Sequence, residues 1–266
     1  MKTSTLERGA VVVEGLGLRR TYGSIVAVDG VDISLRAGEI TAIVGDNGAG
    51  KSTLVKMLCG AVTPTSGEVR VDGERVVLRS PLAARELGIE TVFQDLALAP
   101  NRDVVENLFL GRERCKRGPL FILDRPAMRR SAHEQLASLA INLPRMTGIP
   151  IGQMSGGQRQ AVSVARAAFW ASRAMFMDEP TAALGVREST NVLRLARSIA
   201  DRGLAVVLIS HILPHVTELA DRVIVMRHGK KVAELTDEIS SERLVSLIVG
   251  VDAHAVVDEG NTSRLG

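Results

Sequence analysis

The 266-residue chain is 45% hydrophobic, 24% charged and 3% aromatic, with 33 Lys and Arg against 30 Asp and Glu for a formal charge of +3. That balance suits one large globular domain or two modest ones, and it excludes a disordered chain of low hydrophobicity and high net charge. The densest apolar stretches, residues 40–44, 205–209 and 161–171 with its interruptions at Ser163 and Arg166, fall far short of the roughly 20 residues a bilayer crossing needs.

The opening MKTSTLERGA has no apolar core of the kind a secretory signal carries. Two cysteines, Cys59 and Cys115, are too few for a disulfide framework and suit a reducing compartment. The expectation is a soluble, intracellular protein. An excess of three charges is no argument for nucleic acid. The richest basic cluster is RERCKR at 112–117, and one Tyr and one Trp are the only other large stackers beside five Phe. No nucleic-acid partner is expected.

In chain order, residues 11–44 read as strands and tight turns: VVVEGLGL, SIVAVDG, VDISL, the turn at Ala37 and Gly38, then ITAIV. A helix follows from Lys51, with Leu54, Val55 and Leu58 apolar and Gly60 as its stop. Residues 67–78 read as a hairpin around the two-residue turn Asp72-Gly73, and 89–93 as the next strand. From 101 to 172 helical periods replace strands. Asp124 is a candidate cap, and Met128, Ala132, Leu136 and Leu139 form one apolar face. The α/β rhythm returns with AMFM before Asp178, a helix presenting Val192, Leu195, Ala196 and Ile199, and the strand at 205–210. Such continuous apolar runs belong to buried parallel strands. Strands at 223–226 and 231–235 flank the turn HGK, and 253–266 is polar and expected to fray. There is no internal repeat. The pattern predicts an α/β core interrupted by a helical insertion.

The sequence Gly45-Asp46-Asn47-Gly48-Ala49-Gly50-Lys51-Ser52-Thr53 fits G-x-x-x-x-G-K-[ST], placed after a strand and opening a helix. Glycines let the backbone take positive φ and bring N–H groups against phosphates. The helix N-terminus adds its positive dipole end. Lys51 can reach the β- and γ-phosphates, and the Ser52 hydroxyl can ligate Mg²⁺. The chain is therefore predicted to bind a nucleoside triphosphate.

Two further pieces narrow the class. An apolar strand ends in Asp178 and Glu179. Alone this pair marks a solvated loop start; beside a phosphate loop, one carboxylate suits the Mg²⁺ shell and the other the proton of an attacking water. In Ser155-Gly156-Gly157-Gln158, the serine is placed to cap a helix and the glycines leave its N–H groups open, which makes a second anion-binding helix start.

Over residues 10–250 the chain resembles the ATP-binding subunits of ABC transporters. The resemblance rests on Tyr22, the loop at 45–53, Gln94 after its strand, the signature at 155–158, Asp178-Glu179 and His211, in the family's order. It implies a P-loop NTPase core with an antiparallel β subdomain and an inserted helical subdomain at about 95–165, together a nucleotide-binding domain at 8–250 followed by a polar tail at 251–266. It also implies ATP and Mg²⁺ as cofactors. Tyr22 would stack on adenine, and Gln94 would sense Mg²⁺ and the attacking water. Asp178 would join Ser52 and Gln94 at the metal, with Glu179 as general base and His211 on the γ-phosphate. In this family Ser155 and Gly157 complete the ATP site of a second subunit. The chain departs from the family at Gly185, where a boundary-crossing Asp is usual.

Among these subunits, GDNGAGKST, FQDLALAP, NLFLGRE and EPTAALGV resemble the sugar-importer type (ribose, xylose, galactose, fructose), in a single nucleotide-binding half. The resemblance therefore implies a monosaccharide importer ATPase, peripheral on the inner face of the membrane. Its partners would be a membrane-spanning permease, a second ATP-binding subunit and, indirectly, a solute-binding protein. The competing readings are an importer of another solute and a non-transport machine built on the same engine. Against the latter, residues 54–154 hold no sustained heptads and the chain one phosphate loop. A simple P-loop kinase leaves the signature and His211 unexplained.

Overall fold

β-branched residues and glycine turns dominate the first third of the chain, and it folds accordingly into hairpins and strands. A computed structural model describes residues 7–116, 122–138, 147–182 and 184–250. Strand β1 (Val11–Tyr22) pairs antiparallel with β2 (Ile25–Arg36), which passes through Gly30 as one strand where the sequence reads as two. β3 (Ile40–Val44) leads into α1 (Lys51–Leu58), and Gly60 follows it at φ +72°. The expected hairpin is β4 (Ser66–Val71) and β5 (Glu74–Val76). Asp72 and Gly73 both have positive φ, as a type I′ turn requires.

Next come α2 (Pro81–Glu86), β6 (Ile89–Val92), α3 (Val104–Leu108) and α4 (Arg125–Ser138). The Asp124 side chain accepts from Ala127 N at 3.1 Å, the cap expected for α4. Met128, Ala132 and Leu136 are buried on its inner face. Leu139 of that face and the tail at 251–266 lie outside the described residues. α5 (Gly156–Trp170) precedes β7 (Ala174–Asp178), α6 (Val186–Ala200) and β8 (Ala205–Ile209). The described residues end with α7 (Leu213–Leu219), β9 (Arg222–Arg227), β10 (Lys230–Leu235) and α8 (Ser241–Val249).

Two sheets result. One is antiparallel, in the order β2-β1-β4-β5; the other runs β10-β9-β3-β8-β7-β6 and is parallel from β9 to β6. Alternation along the parallel strands divides the core. Phe176, Val207, Ile209 and Ile224 face α1 and the antiparallel sheet, whereas Met175, Met177, Val206 and Leu208 face α5 and α6. Both faces are covered, so these strands read as unbroken apolar runs.

α5 serves two cores. Val164, Ala167 and Ala168 pack on the sheet, while Val162, Ala165 and Phe169 join Phe109, Met128 and Leu136 in a separate helical cluster. Phe109, Phe169 and Trp170 meet edge-on there, with ring centroids 4.9 to 5.6 Å apart. Leu195, expected on the buried face of α6, is only partly buried beside the core between the sheet and α5 and α6.

Candidate active site

In a parallel sheet with helical crossovers, ligands bind beyond the carboxyl ends of the strands. Here β3, β8, β7 and β6 are neighbours in that order, and their carboxyl ends lead to Gly45, His211, Asp178-Glu179 and Gln94. Register makes the grouping concrete. Asp178 pairs with Ile209, two residues before His211, and Met177 pairs with Val92, two before Gln94.

The phosphate loop is built against backbone. Gly45 has φ +145°, and a Cβ there would lie 2.1 Å from Met226 O. At Gly50, φ +98°, a Cβ would lie 2.3 Å from Ala27 O. Both positions therefore demand glycine, for conformation and for space. The loop is further pinned by Gly229 N donating to Ala49 O at 3.1 Å. On the open side Asp46, Asn47 and Gly48 are exposed, and a Cβ at Gly48 would meet nothing within 4 Å. Gly50 caps α1 without a side-chain bond, so the first-turn N–H groups of Lys51, Ser52 and Thr53 stand where a helix offers its unpaired donors.

Lys51 is buried, and its Nζ donates to Gly45 O at 2.7 Å and Asp46 O at 2.8 Å, inside the ring of the loop. Burial draws its pKa down, while Glu179, Asp46 and Asp178 oppose that shift. The three carboxylates favour the charged ammonium, the form that suits phosphate oxygens. Ser52 Oγ donates to Asp178 Oδ1 at 3.4 Å. One hydroxyl and one carboxylate are hard oxygen donors of the kind Mg²⁺ takes together with substrate phosphates. Among the described residues no group of three or more His, Cys, Asp or Glu could hold a metal alone. The donor set therefore fits Mg²⁺ arriving with a nucleotide.

Asp178 carries a pKa raised by burial, lowered in part by the Ser52 hydrogen bond and raised again by Glu179. The native state thus holds that proton more tightly than the unfolded chain does. Stability from this group is full below the ordinary carboxylate range and declines as pH rises through the raised native value. Asp178→Asn, whose Oδ1 still accepts from Ser52, is expected to raise the melting temperature of the nucleotide-free protein at pH 7. The gain should vanish below about pH 4. A scan of melting temperature against pH for both proteins checks this; an unchanged or lower value at pH 7 refutes it.

Glu179 has φ +50°, an uncommon conformation for a non-glycine residue and one that concentrates at active sites. Its N–H donates to Ile209 O at 3.0 Å, which ties it to β8. The His211 Nδ1 lies 3.5 Å from Glu179 Oε1. The two side chains are 60% and 28% exposed, open to a substrate while in contact with each other.

Tyr22 ends β1 at the hairpin whose returning strand brings Ala27 O against Gly50. The residue is 44% exposed, and Arg20 covers its ring with Cζ 4.7 Å from the centroid. Gln94 is exposed beyond β6. The signature is elsewhere. Ser155 caps α5 in a reciprocal box, its Oγ accepting from Gln158 N at 3.3 Å and its N donating to Gln158 Oε1 at 2.9 Å. A Cβ on Gly157 would lie 2.3 Å from Glu188 Cγ, whereas Gly156 faces open space. Gly157 therefore packs against α6, while the loop at 45–53 packs against Ala27 and Met226. Gly185, the departure noted above, opens α6 without a side-chain cap, and a Cβ there would lie 2.6 Å from Glu188 Oε2.

Sequence reasoning missed the backing of the loop by Ala27 and Met226, whose carbonyls leave no mark on residue type, and by Gly229, which reads only as part of a turn although its φ of +77° and its approach to Ala27 O favour glycine. It also missed Arg20, a basic residue two places before the aromatic on the same strand.

The P-loop, the Ser52–Asp178 pair and the Glu179–His211 pair at the carboxyl ends of the inner strands of a doubly covered sheet define a nucleotide-hydrolysing P-loop protein. Residues 28–182 match the sequence profile of the family described as ABC transporter. The chain is 47% identical over 224 residues to a fructose import ATP-binding protein of Rhizobium meliloti, covering 83% of this chain and 86% of that protein. A xylose/arabinose import ATP-binding protein of Sulfolobus acidocaldarius is 40% identical, with 88% and 93% covered. A ribose import ATP-binding protein of Burkholderia pseudomallei is also 40% identical; it covers 94% of this chain, which spans half of its length. A solved nucleotide-free ATP-binding cassette from an ABC transporter superimposes with a TM-score of 0.78 at 25% identity, covering 93% of this chain and 98% of the other. The chain belongs to the ABC transporter family, as one of its ATP-binding cassettes.

Proposed function

We propose that this chain is the ATP-hydrolysing subunit of a monosaccharide importer. The observation that carries the reading is the meeting of Lys51, the Ser52–Asp178 pair and the Glu179–His211 pair beyond the carboxyl ends of β3, β7 and β8, in a chain 47% identical to a fructose import ATP-binding protein. Tyr22 stacks on the base through the face Arg20 leaves open. Lys51 and the first turn of α1 hold the β- and γ-phosphates. Ser52, Gln94 and Asp178 hold Mg²⁺, which neutralises phosphate charge when bound. Glu179 takes the proton of the attacking water, and His211, in contact with Glu179, orients that water toward the γ-phosphate.

The second anion-binding helix start, at Ser155, serves another subunit. Two chains stack head to tail, each signature closing over its partner's ATP, excluding water and adding N–H donors at the γ-phosphate. One chain alone is a poor ATPase on this reading. No helix of the described residues is long and apolar enough to cross a membrane. Partnership with membrane-spanning permease subunits, fed by a solute-binding protein, places the chain peripherally on the inner face of the membrane. The helical cluster of α3, α4 and α5 is the part that meets the permease.

The test is uptake. A strain lacking the gene is expected to lose import of one sugar among fructose, xylose, arabinose and ribose. The native gene should restore it and Lys51→Ala should not. Normal uptake of these four sugars and of galactose refutes the monosaccharide-importer assignment.

A further inference from the structure

The connection between α3 and α4 carries charge that its own acids do not balance. Residues 110–116 and 122–130 hold six Arg and Lys against two carboxylates, an excess of four in a chain whose whole excess is three. Both acids are turned to backbone donors: Glu113 Oε1 accepts from Gly111 N at 3.1 Å, and Asp124 Oδ1 from Ala127 N at 3.1 Å. Two of the cations have partners within the fold, Arg112 in the buried Glu90 at 2.7 Å and Arg125 in Glu106 at 3.3 Å. Arg114, Lys116, Arg129 and Arg130 are exposed, and among the described residues none of them has a carboxylate within 4.0 Å.

These cations stand among exposed apolar side chains. Lys116 N donates to Ile122 O at 2.8 Å and Asp124 N to Arg114 O at 2.7 Å, with Cys115 opposite Leu123, so the two segments form a short antiparallel ribbon. Opposed residues share a face, which puts Lys116 beside Ile122 and Cys115 beside Leu123. Neither face is covered. Ile122 is 54% and Leu123 41% exposed, and Leu110, at the root of the ribbon, 47%. So short a strand pair is marginal in water, and exposed apolar residues rimmed by charge mark a surface that has a partner. The ribbon runs directly into Asp124, the cap of α4. Arg129 and Arg130 stand about 8 Å along the helix axis from that cap, exposed where Met128 and Ala132 are buried.

We propose that this ribbon and the first turns of α4 form a membrane-surface site for anionic lipid headgroups. Arg114, Lys116, Arg129 and Arg130 meet the phosphates, and Ile122 and Leu123 reach the acyl boundary. Cations beside aliphatic residues are what interfacial segments use to hold such a surface. The proposal rests on the placement beside a membrane given above, and it adds a contact that the chain makes without a permease. Charge favours lipid over the permease as the occupant, because the cytoplasmic loops of membrane proteins are themselves rich in Lys and Arg. Nucleic acid fits less well. Single strands are held by stacking on aromatic faces, and here Phe109 is buried beneath Arg114 and Trp170 half-buried beneath Arg112.

The experiment is flotation of the purified full chain, without nucleotide or permease, on two kinds of vesicle: phosphatidylcholine alone, and phosphatidylglycerol with phosphatidylcholine in equal parts. The chain is expected to float with the anionic vesicles and not with the neutral ones, and to come off as salt rises. Arg129→Gln/Arg130→Gln should weaken binding about 25-fold, since each cation near such a surface contributes about fivefold. Ile122→Ser/Leu123→Ser should weaken it about tenfold through the lost apolar contact. Arg8→Gln/Arg202→Gln, which removes the same charge beside the starts of β3 and β8, should change it by less than about twofold. Melting curves establish that each variant is folded, and the preference of the native chain for phosphatidylglycerol needs no variant. Equal flotation of the native chain with both vesicles, or with neither, overturns the proposal. So does equal weakening by the two Arg pairs, which would make the attraction one of net charge alone. Displacement by sodium phosphate beyond that by chloride at equal ionic strength would mark a phosphate-ion site. Tighter binding to a DNA duplex than to the anionic vesicles would mark a nucleic-acid surface, and either result overturns the lipid assignment. No sugar enters the assay, so its failure leaves the uptake test of the importer reading standing.

Discussion

Glu179→Gln is expected to bind ATP as the native chain does and to hydrolyse it about 10²–10⁴-fold more slowly, the usual share of a general base. The amide has the same size and number of heavy atoms, so the left-handed backbone at 179 and the N–H bond to Ile209 O are undisturbed. What changes is the acceptor. A carboxylate can take a proton from water as the oxygen attacks, and an amide cannot. The groups proposed to bind phosphate, Lys51 and the first turn of α1, lie on a different strand-to-helix connection and should keep their arrangement. ATP affinity measured by equilibrium titration should stay within a few-fold of native, while single-turnover hydrolysis falls by the factor above. Near-native hydrolysis would remove Glu179 from the chemistry and leave His211, 3.5 Å away, as the group to examine.

The parts of this site that are legible in the sequence are those whose physics is local. Gly45, Gly50 and Lys51 announce a phosphate loop because a positive φ, a close approach and a cation each demand a particular residue. Asp178 is legible because a run of buried apolar residues has to end where the strand meets solvent. The hairpin at Asp72-Gly73 is legible for the same reason, since its turn type dictates its residues. What escapes reading is made by backbone atoms or by distant partners. Met226 O and Ala27 O shape the loop, yet any residue at 27 or 226 has a carbonyl. Arg166 on α5 donates to the carbonyls of Ala97 and Leu96, 69 and 70 residues away, and no pattern of residue types encodes them.

Short helices are a third kind of omission. α2 carries Ser80 as its cap followed by Pro81, and α3 carries a reciprocal box between Asp103 and Glu106. Those signals are real, but a six-residue helix has too few turns to show an apolar period, and the five-residue α3 falls within the 101–172 stretch read as helical without being placed individually. α7 and α8 are hidden differently. Their inner residues, Val216 and Leu244, become core only because β3 and β9 lie beneath them.

A mixture of two dead variants is expected to recover ATPase activity. The chain holds one phosphate loop and one signature, and these pack against different neighbours: Gly50 against Ala27, and Gly157 against Glu188. Lys51→Ala removes the ammonium that lies within the loop and should abolish tight ATP binding at its own site. Ser155→Arg puts a bulky cation at the start of α5 and removes the hydroxyl that accepts from Gln158 N, so it should block closure over a partner's ATP while its own loop remains whole. In a mixed dimer one composite site carries both lesions and the other carries neither. Steady-state hydrolysis, measured across mixing ratios at fixed total protein, should rise above that of either variant and peak near equal amounts. The same Ser155→Arg chain, diluted until monomeric, should bind ATP and leave it unhydrolysed. If it hydrolyses ATP at the native dimer's rate under that dilution, each chain contains a complete site and the head-to-tail arrangement is wrong.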